Sequence, residues 1–420
     1  MNRSSKKSVL VVNQHGENRG DEAAMRAMID GLERTLGGAR YTLIVQFQDT
    51  SLQLPFKEDV TLLHMKMPYS HFLGLVLYSV FRWLGLRVPF LLSDDTGKII
   101  RSYEQADMVM SAPGGPYFGD IYHRHEIVHW FYVWLAHVYR KPLFLYAPSA
   151  GPFRIRWLNA IRRYLYRKFD VLCVREEISR DHLAKLLGED ADIHVTADSA
   201  IQQYIEPGRR EEYFTGERSA LADRYLVAVS AIQYRFPGEQ DPAAAQARYT
   251  DILMQCLHHL DSRKDCHFLF IPQLYGAAHS DVPYLESLAG RLPEGASFEI
   301  VDPSLDSEAQ RRIFGMADLC IASRYHPQIF AATAGVPGIC IYYEHKAQGF
   351  MSFLGLDGFA FDIRNLDVAR MCAKLDEVIS DGVDLSKLVN ERIQAVRGRS
   401  RETTELACQL LLGGSARYKN

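Results

Sequence analysis

The chain has no surplus of charge of either sign. Its 48 Lys and Arg face 51 Asp and Glu, a net charge of −3 over 420 residues. Proteins that hold nucleic acid through bulk charge are far more basic, so no nucleic-acid partner is expected. Cysteine is sparse. Cys173, Cys256, Cys266, Cys320, Cys340, Cys372 and Cys408 form no CxxC pair, and their number is odd. That argues against a disulfide framework or a zinc site and for reduced thiols in the cytosol. Long apolar runs are missing as well. The nearest, residues 72–92, is interrupted by Arg82 and Arg87, so it reads as a buried or interfacial helix rather than a span of about 18 or more apolar residues. Residues 9–12 are too short for the apolar core of a secretory signal, about 7–15 residues. There is no GxSxG, Walker loop or GxGxxG, and no DxD-like metal run followed by supporting carboxylates. Asp94-Asp95 reads as helix capping.

The composition is that of a globular protein, 47% hydrophobic and 24% charged. The length is too great for one ordinary core and favours two domains. Short aliphatic runs alternate with helix-like segments. Strands are predicted at 8–13, 41–47, 108–111, 143–147, 171–174 and 193–196. Helices are predicted at 21–35, 69–86, 94–105, 125–139, 155–169 and 178–187. The rhythm breaks at the polar, turn-rich segment 202–224. It resumes with strands at 225–230, 267–271, 298–301, 319–322 and 338–342, and a last helical region at about 384–412. This alternation implies parallel sheets covered by helices. The expected organisation is an N-terminal Rossmann-like domain at 1–205, a second at 222–395, and a C-terminal helix and tail at 396–420. A cleft is expected between the two domains.

Three segments stand where strands hand over to helices, the usual ligand position of open α/β sheets. The first is Asn13 to Glu22, containing Asn18-Arg19-Gly20-Asp21-Glu22. Two carboxylates in a first helical turn suit the helix dipole but repel phosphate. The loop therefore either caps its helix through Asn18 or Asp21, or contacts hydroxyl groups. The second runs from Ser111 to Asp120, where Gly114-Gly115 permits close backbone approach to a ligand or to another loop. The third is Ser323-Arg324-Tyr325-His326-Pro327. Proline favours the first helical position, which places His326 at the N-cap. Helix amides, Arg324 and a titratable His326 would then converge on an anion. Arg175, Arg235 and Lys346 also follow strands and extend this set of candidate cations.

Residues 154–168 carry six cations and no acid, with Trp157, Leu158, Ile161 and Leu165 at helical spacing. The ordinary reading is an amphipathic helix packed on the sheet with its arginines solvated. The second is contact with a surface bearing anionic lipid. The protein is expected in the cytosol, with the inner face of the membrane as a peripheral site under the second reading.

Taken in order, these motifs resemble the polysaccharide pyruvyl transferase family. The resemblance is carried by residues 18–22, the Gly114-Gly115 loop ending at Asp120, Ser149-Ala150-Gly151-Pro152, Val174-Arg175-Glu176-Glu177, Val195-Thr196-Ala197-Asp198, Ser323 to His326, Ala334-Gly335-Val336-Pro337, Tyr343 and Lys346. It implies a fold like the GT-B glycosyltransferases, with two Rossmann-like doubly wound domains facing a cleft. It also implies transfer of a pyruvyl group from phosphoenolpyruvate onto a sugar or a lipid-linked oligosaccharide, forming a ketal. By that resemblance Arg324 and His326 meet the donor, together with a second arginine, Arg235 first and Arg175 next. Chemistry completes the picture. Arg324 would clamp one anionic group and Arg235 or Lys346 the other. His326 is a general acid or base, and Asp21 or Glu22 takes the acceptor's proton. Asn18, Gly114 and Gly115 would line the acceptor loop. The first half would then present the acceptor and the second half the donor. No metal or cofactor is expected, and the oligomeric state is left open. The competing reading is a glycosyltransferase of the same architecture using a nucleotide sugar.

Overall fold

Strands buried on both faces need unbroken apolar runs, and the chain supplies them at residues 9–12, 108–111, 226–230 and 319–322, all buried. The computed structural model describes residues 6–46, 59–114, 118–120, 123–276 and 279–413. Two compact units emerge. The first comprises Met1–Glu17, Ala24–Gln202 and Gly398–Asn420; the second comprises Asn18–Ala23 and Gln203–Arg397.

In chain order the elements begin β1 (Lys7–His15), α1 (Arg19–Leu36), β2 (Ala39–Gln46), β3 (Val60–His64), α2 (Tyr69–Trp83), α3 (Asp94–Gln105), β4 (Met108–Ser111) and α4 (His123–Val138). Next come β5 (Leu143–Leu145), α5 (Asn159–Tyr166), β6 (Val171–Val174), α6 (Glu177–Leu187) and β7 (Ile193–Val195). Together the strands form a seven-stranded sheet of order β3-β2-β1-β4-β5-β6-β7, parallel throughout. One face is covered by α1 and by residues 407–411. The other is covered by the buried faces of the second, third and fourth helices.

The chain continues with α7 (Arg210–Tyr213), β8 (Tyr225–Ser230), α8 (Pro242–Arg263), β9 (Cys266–Phe270), β10 (Tyr275–Gly276), β11 (His279–Ser280), α9 (Val282–Ala289) and β12 (Ser297–Ile300). It closes with α10 (Ser307–Met316), β13 (Leu319–Ala322), α11 (Tyr325–Thr333), β14 (Gly338–Tyr342), α12 (His345–Phe353), β15 (Ala360–Asp362) and α13 (Val368–Leu411). The second sheet is parallel, of order β12-β9-β8-β13-β14-β15. Its strand order reverses between β8 and β13, where Ser230 lies beside Ala322. In the first sheet the reversal falls between β1 and β4, where Val12 lies beside Ser111. Ligands of open α/β sheets bind outside the carboxyl ends of such strands. All three motif segments start at one of these two places.

Three helices differ from the sequence expectation. The helix expected at 155–169 is shorter, because Asp120 Oδ2 accepts the backbone N–H groups of Arg154 and Ile155 and holds them outside it. Residues 384–412 are the second part of the longer α13, which is broken at Asp381. The helix at Arg324 starts two residues before the expected place. Asp94 and Asp95 do lie in a first turn, but Ser93 caps it.

Candidate active site

Helix α11 follows β13 after one turn of extended chain, with Arg324 at the N-cap (φ −109°, ψ 148°). His326 is therefore the second helical residue and Pro327 the third, not the N-cap and first residue expected from the proline rule. Proline is tolerated there because the N–H groups of a first turn have no intrahelical partner. Among the described residues no side chain caps this helix start.

Arg324 donates from Nη2 to Asp281 Oδ1 at 2.5 Å, with its side chain 11% exposed. Burial opposes its charge, but Asp281 together with Tyr343 and Tyr249 more than offsets that and raises the guanidinium's pKa above its ordinary value. The other oxygen of Asp281 accepts the amides of Gln273 and Leu274, 3.0 Å each. One carboxylate thus fixes both the arginine and the loop after β9. Arg324 Nε makes no hydrogen bond with a described residue.

His326 is buried among Tyr325 and Phe330, ring centroids 5.0 and 6.2 Å away. Its other wall is Gly20. A Cβ on Gly20 would lie 1.8 Å from His326 Nδ1, so only glycine allows this approach. The sequence reading places 18–22 with the first half of the chain; in the structure Asn18–Ala23 belong to the second unit. The reason is a set of contacts with no local signature. Arg19 stacks on Tyr275 at 3.6 Å and donates its backbone N–H to Gln273 O at 3.0 Å. Arg19 also pairs with Glu22 Oε2 at 2.7 Å. Glu22 Oε1 accepts the backbone N–H and hydroxyl of Ser307 at the start of α10. Asn18 caps α1, its Oδ1 accepting Gly20 N–H at 2.8 Å. Asp21 is buried in the same turn. Both oxygens of Glu22 are engaged in holding structure.

The other predicted residues separate clearly. Lys346 pairs with Glu344 at 2.6 Å, just beyond β14 and 5.9 Å from the Tyr325 ring. Arg235 is exposed in the loop that leaves β8, the strand next to β13. Arg175 lies in the first unit, fully buried. Its Nη1 meets Asp198 Oδ2 at 2.5 Å and its Nε meets Ser149 Oγ at 2.8 Å. Gly114 is buried at the end of β4; Gly115 lies outside the described residues. Sequence reasoning missed Asp281 and Tyr275, which sit in a loop without a motif. It also missed a histidine pair in the first unit, His15 and His129, whose Nε2 atoms are 2.9 Å apart. Only pairing across 114 positions creates that contact, so no spacing rule reveals it.

The two sheets define the GT-B class of α/β proteins. The chain is similar to a putative UDP-N-acetylglucosamine 2-epimerase from Listeria monocytogenes, with TM-score 0.60 and 14% identity over 97% of this chain and 96% of that one. It is also similar to Anabaena Alr3699/HepE, solved in complex with UDP and glucose, with TM-score 0.57 and 13% identity over 97% and 100%. At such identities the likeness concerns the fold alone. The sequence profile of the polysaccharide pyruvyl transferase family matches residues 18–345, and the chain belongs to that family. It is 23% identical over 412 residues to the amylovoran biosynthesis protein AmsJ of Erwinia amylovora, covering 93% of this chain and 96% of that one. The matched stretch opens at Asn18 and takes in every second-unit candidate except Lys346, which it stops just short of.

Proposed function

We propose that the protein transfers the pyruvyl group of phosphoenolpyruvate onto a sugar of a bacterial-type surface polysaccharide or its lipid-linked precursor. Family membership supports a transferase acting in polysaccharide modification. The observation that carries the donor is the meeting of Arg324, His326 and Gly20 beside the reversal point of the second sheet. Arg324 clamps the carboxylate or the phosphate, and Arg235, from the adjoining strand end, takes the other, with Lys346 as its alternative. One sugar oxygen bonds to C2 of the donor while C3 gains a proton and becomes a methyl group. A second sugar oxygen then displaces phosphate, which leaves with the C2–O electron pair. The diol loses two protons; one ends on C3 and the other leaves with phosphate. His326 serves as the acid or base of the proton transfer to C3. Asp21, in the same helical turn as Glu22, is assigned the acceptor's proton.

The test is phosphate release from phosphoenolpyruvate, with mass analysis of glycan extracted from cells lacking the gene. The expected result is a pyruvyl mass gained on one sugar with one phosphate released. Thermal stabilisation by UDP-sugars but not by phosphoenolpyruvate would replace this reading with glycosyl transfer.

A further inference from the structure

We infer that the first unit docks on an anionic lipid bilayer through the outer faces of α2, α4 and α5. Helix α2 is built the wrong way round for a solvated surface. Tyr69, Leu73, Leu77, Val80 and Leu84 recur at i, i+4, i+8, i+11 and i+15, one helical stripe, and all are exposed. Phe90, just beyond, is 83% exposed. The α5 segment repeats the device. Leu158 and Leu165 turn inward, while Trp157, Ile161 and Tyr164 face out, with Trp157 70% exposed. These three lie opposite Ile127, Phe131 and Trp134 of α4 across an apolar groove of about 380 Å³. Phe72 of α2 meets Phe131 at 5.5 Å, and Trp83 meets Trp134 at 6.4 Å, which joins the three helices into one apolar field. Monomeric soluble proteins rarely leave so much contiguous apolar surface uncovered.

Charge selects the occupant. Residues 65–93 and 121–169 together hold twelve Lys or Arg and one acid, in a chain of net charge −3. The single acid, Glu126, is buried against Arg162. Arg156, Arg163 and Arg167 are exposed and follow one face beside the Trp157 stripe. A second copy of so basic a face would be repelled, whereas anionic headgroups are attracted, at about 1 kcal/mol per basic residue near the surface. Of the four tryptophans of the chain, Trp83 and Trp157 are exposed in these segments and Trp134 lines the groove. Indole rings favour the bilayer interface, where one edge is apolar and the other wet. No helix among the described residues is long and apolar enough to cross a membrane, so the contact is peripheral.

The experiment is sedimentation of the full chain with phosphatidylcholine vesicles, with and without phosphatidylglycerol, at low and at physiological salt. Binding is expected only with phosphatidylglycerol, weakening with salt and accompanied by a blue shift of tryptophan emission. Trp157→Ser with Ile161→Ser should lower the bound fraction about tenfold, and so should Arg156→Glu with Arg163→Glu and Arg167→Glu. The arginine set removes no apolar packing, so it remains informative should the other variant fold poorly. Absence of binding to phosphatidylglycerol vesicles at low salt overturns the proposal. So does wild-type binding by both variant sets, or a solution dimer that Trp157→Asp converts to monomer.

Discussion

Arg175 and Arg324 look alike in sequence and differ in place. Each follows a buried parallel strand, and each pairs with an aspartate at 2.5 Å. In both cases the aspartate's other oxygen holds backbone: Asp198 accepts Ala200 N–H, and Asp281 accepts Gln273 and Leu274. Arg175 follows β6, two strands from its sheet's reversal point, and is enclosed with Ser149 and Glu176 as further partners. Arg324 follows β13 at the reversal point itself, keeps an exposed edge and stands two residues from His326. A charged strand end therefore signals a site only when topology gives it an opening. Elsewhere the same pair is a buried tie between neighbouring loops.

Substitutions at four positions sharpen or break that contrast. His326→Ala should lower turnover about 10²–10⁴-fold, the usual range for an acid–base group; near wild-type turnover would remove it from the chemistry. Arg175→Met leaves Asp198 and Glu176 buried without their cation. It should cost about 3–5 kcal/mol of stability, measured by denaturant unfolding, with little change in the donor KM of the folded enzyme. A raised KM at unchanged stability would make Arg175 a donor ligand and erase the contrast. Gly20→Ala must push the His326 ring aside, and a displacement near 1 Å should cost about 10²-fold in turnover. Unchanged kinetics would mean that the ring position does not matter. Arg324→Ala should raise the donor KM about 10–10²-fold, the worth of one hydrogen-bonded charge, and Arg324→Lys should restore only part of it. A wild-type KM in a steady-state assay would place the anion elsewhere.

The central strands were readable because residues buried on both faces leave unbroken aliphatic runs, as in β8 and β13. The edges were readable only in part: β7 and β12 were expected, whereas β3 and β15 were not. The Arg-x-His block was readable because strand end, cation and proline are neighbours in sequence. Asp281, Tyr275 and the contact of Gly20 with His326 were not, since each is made by segments far apart in the chain. Within residues 154–168 the cations were visible, but which apolar residues face out was not. Leu158 and Trp157 are adjacent in sequence and opposite in exposure.

The six residues Asn18–Ala23 give the second unit a genetic oddity. Its own wall against the histidine, the cap on Ser307 and the cation stacked on Tyr275 are encoded about 180 codons before the rest. A fragment spanning 203–397 would translate the Arg-x-His block intact and still lack those pieces. Domain dissection would then test the proposed donor site on a fragment that lacks its Gly20 wall. Fusing residues 18–23 back through a linker, rather than trimming at the apparent boundary, is the way to isolate it.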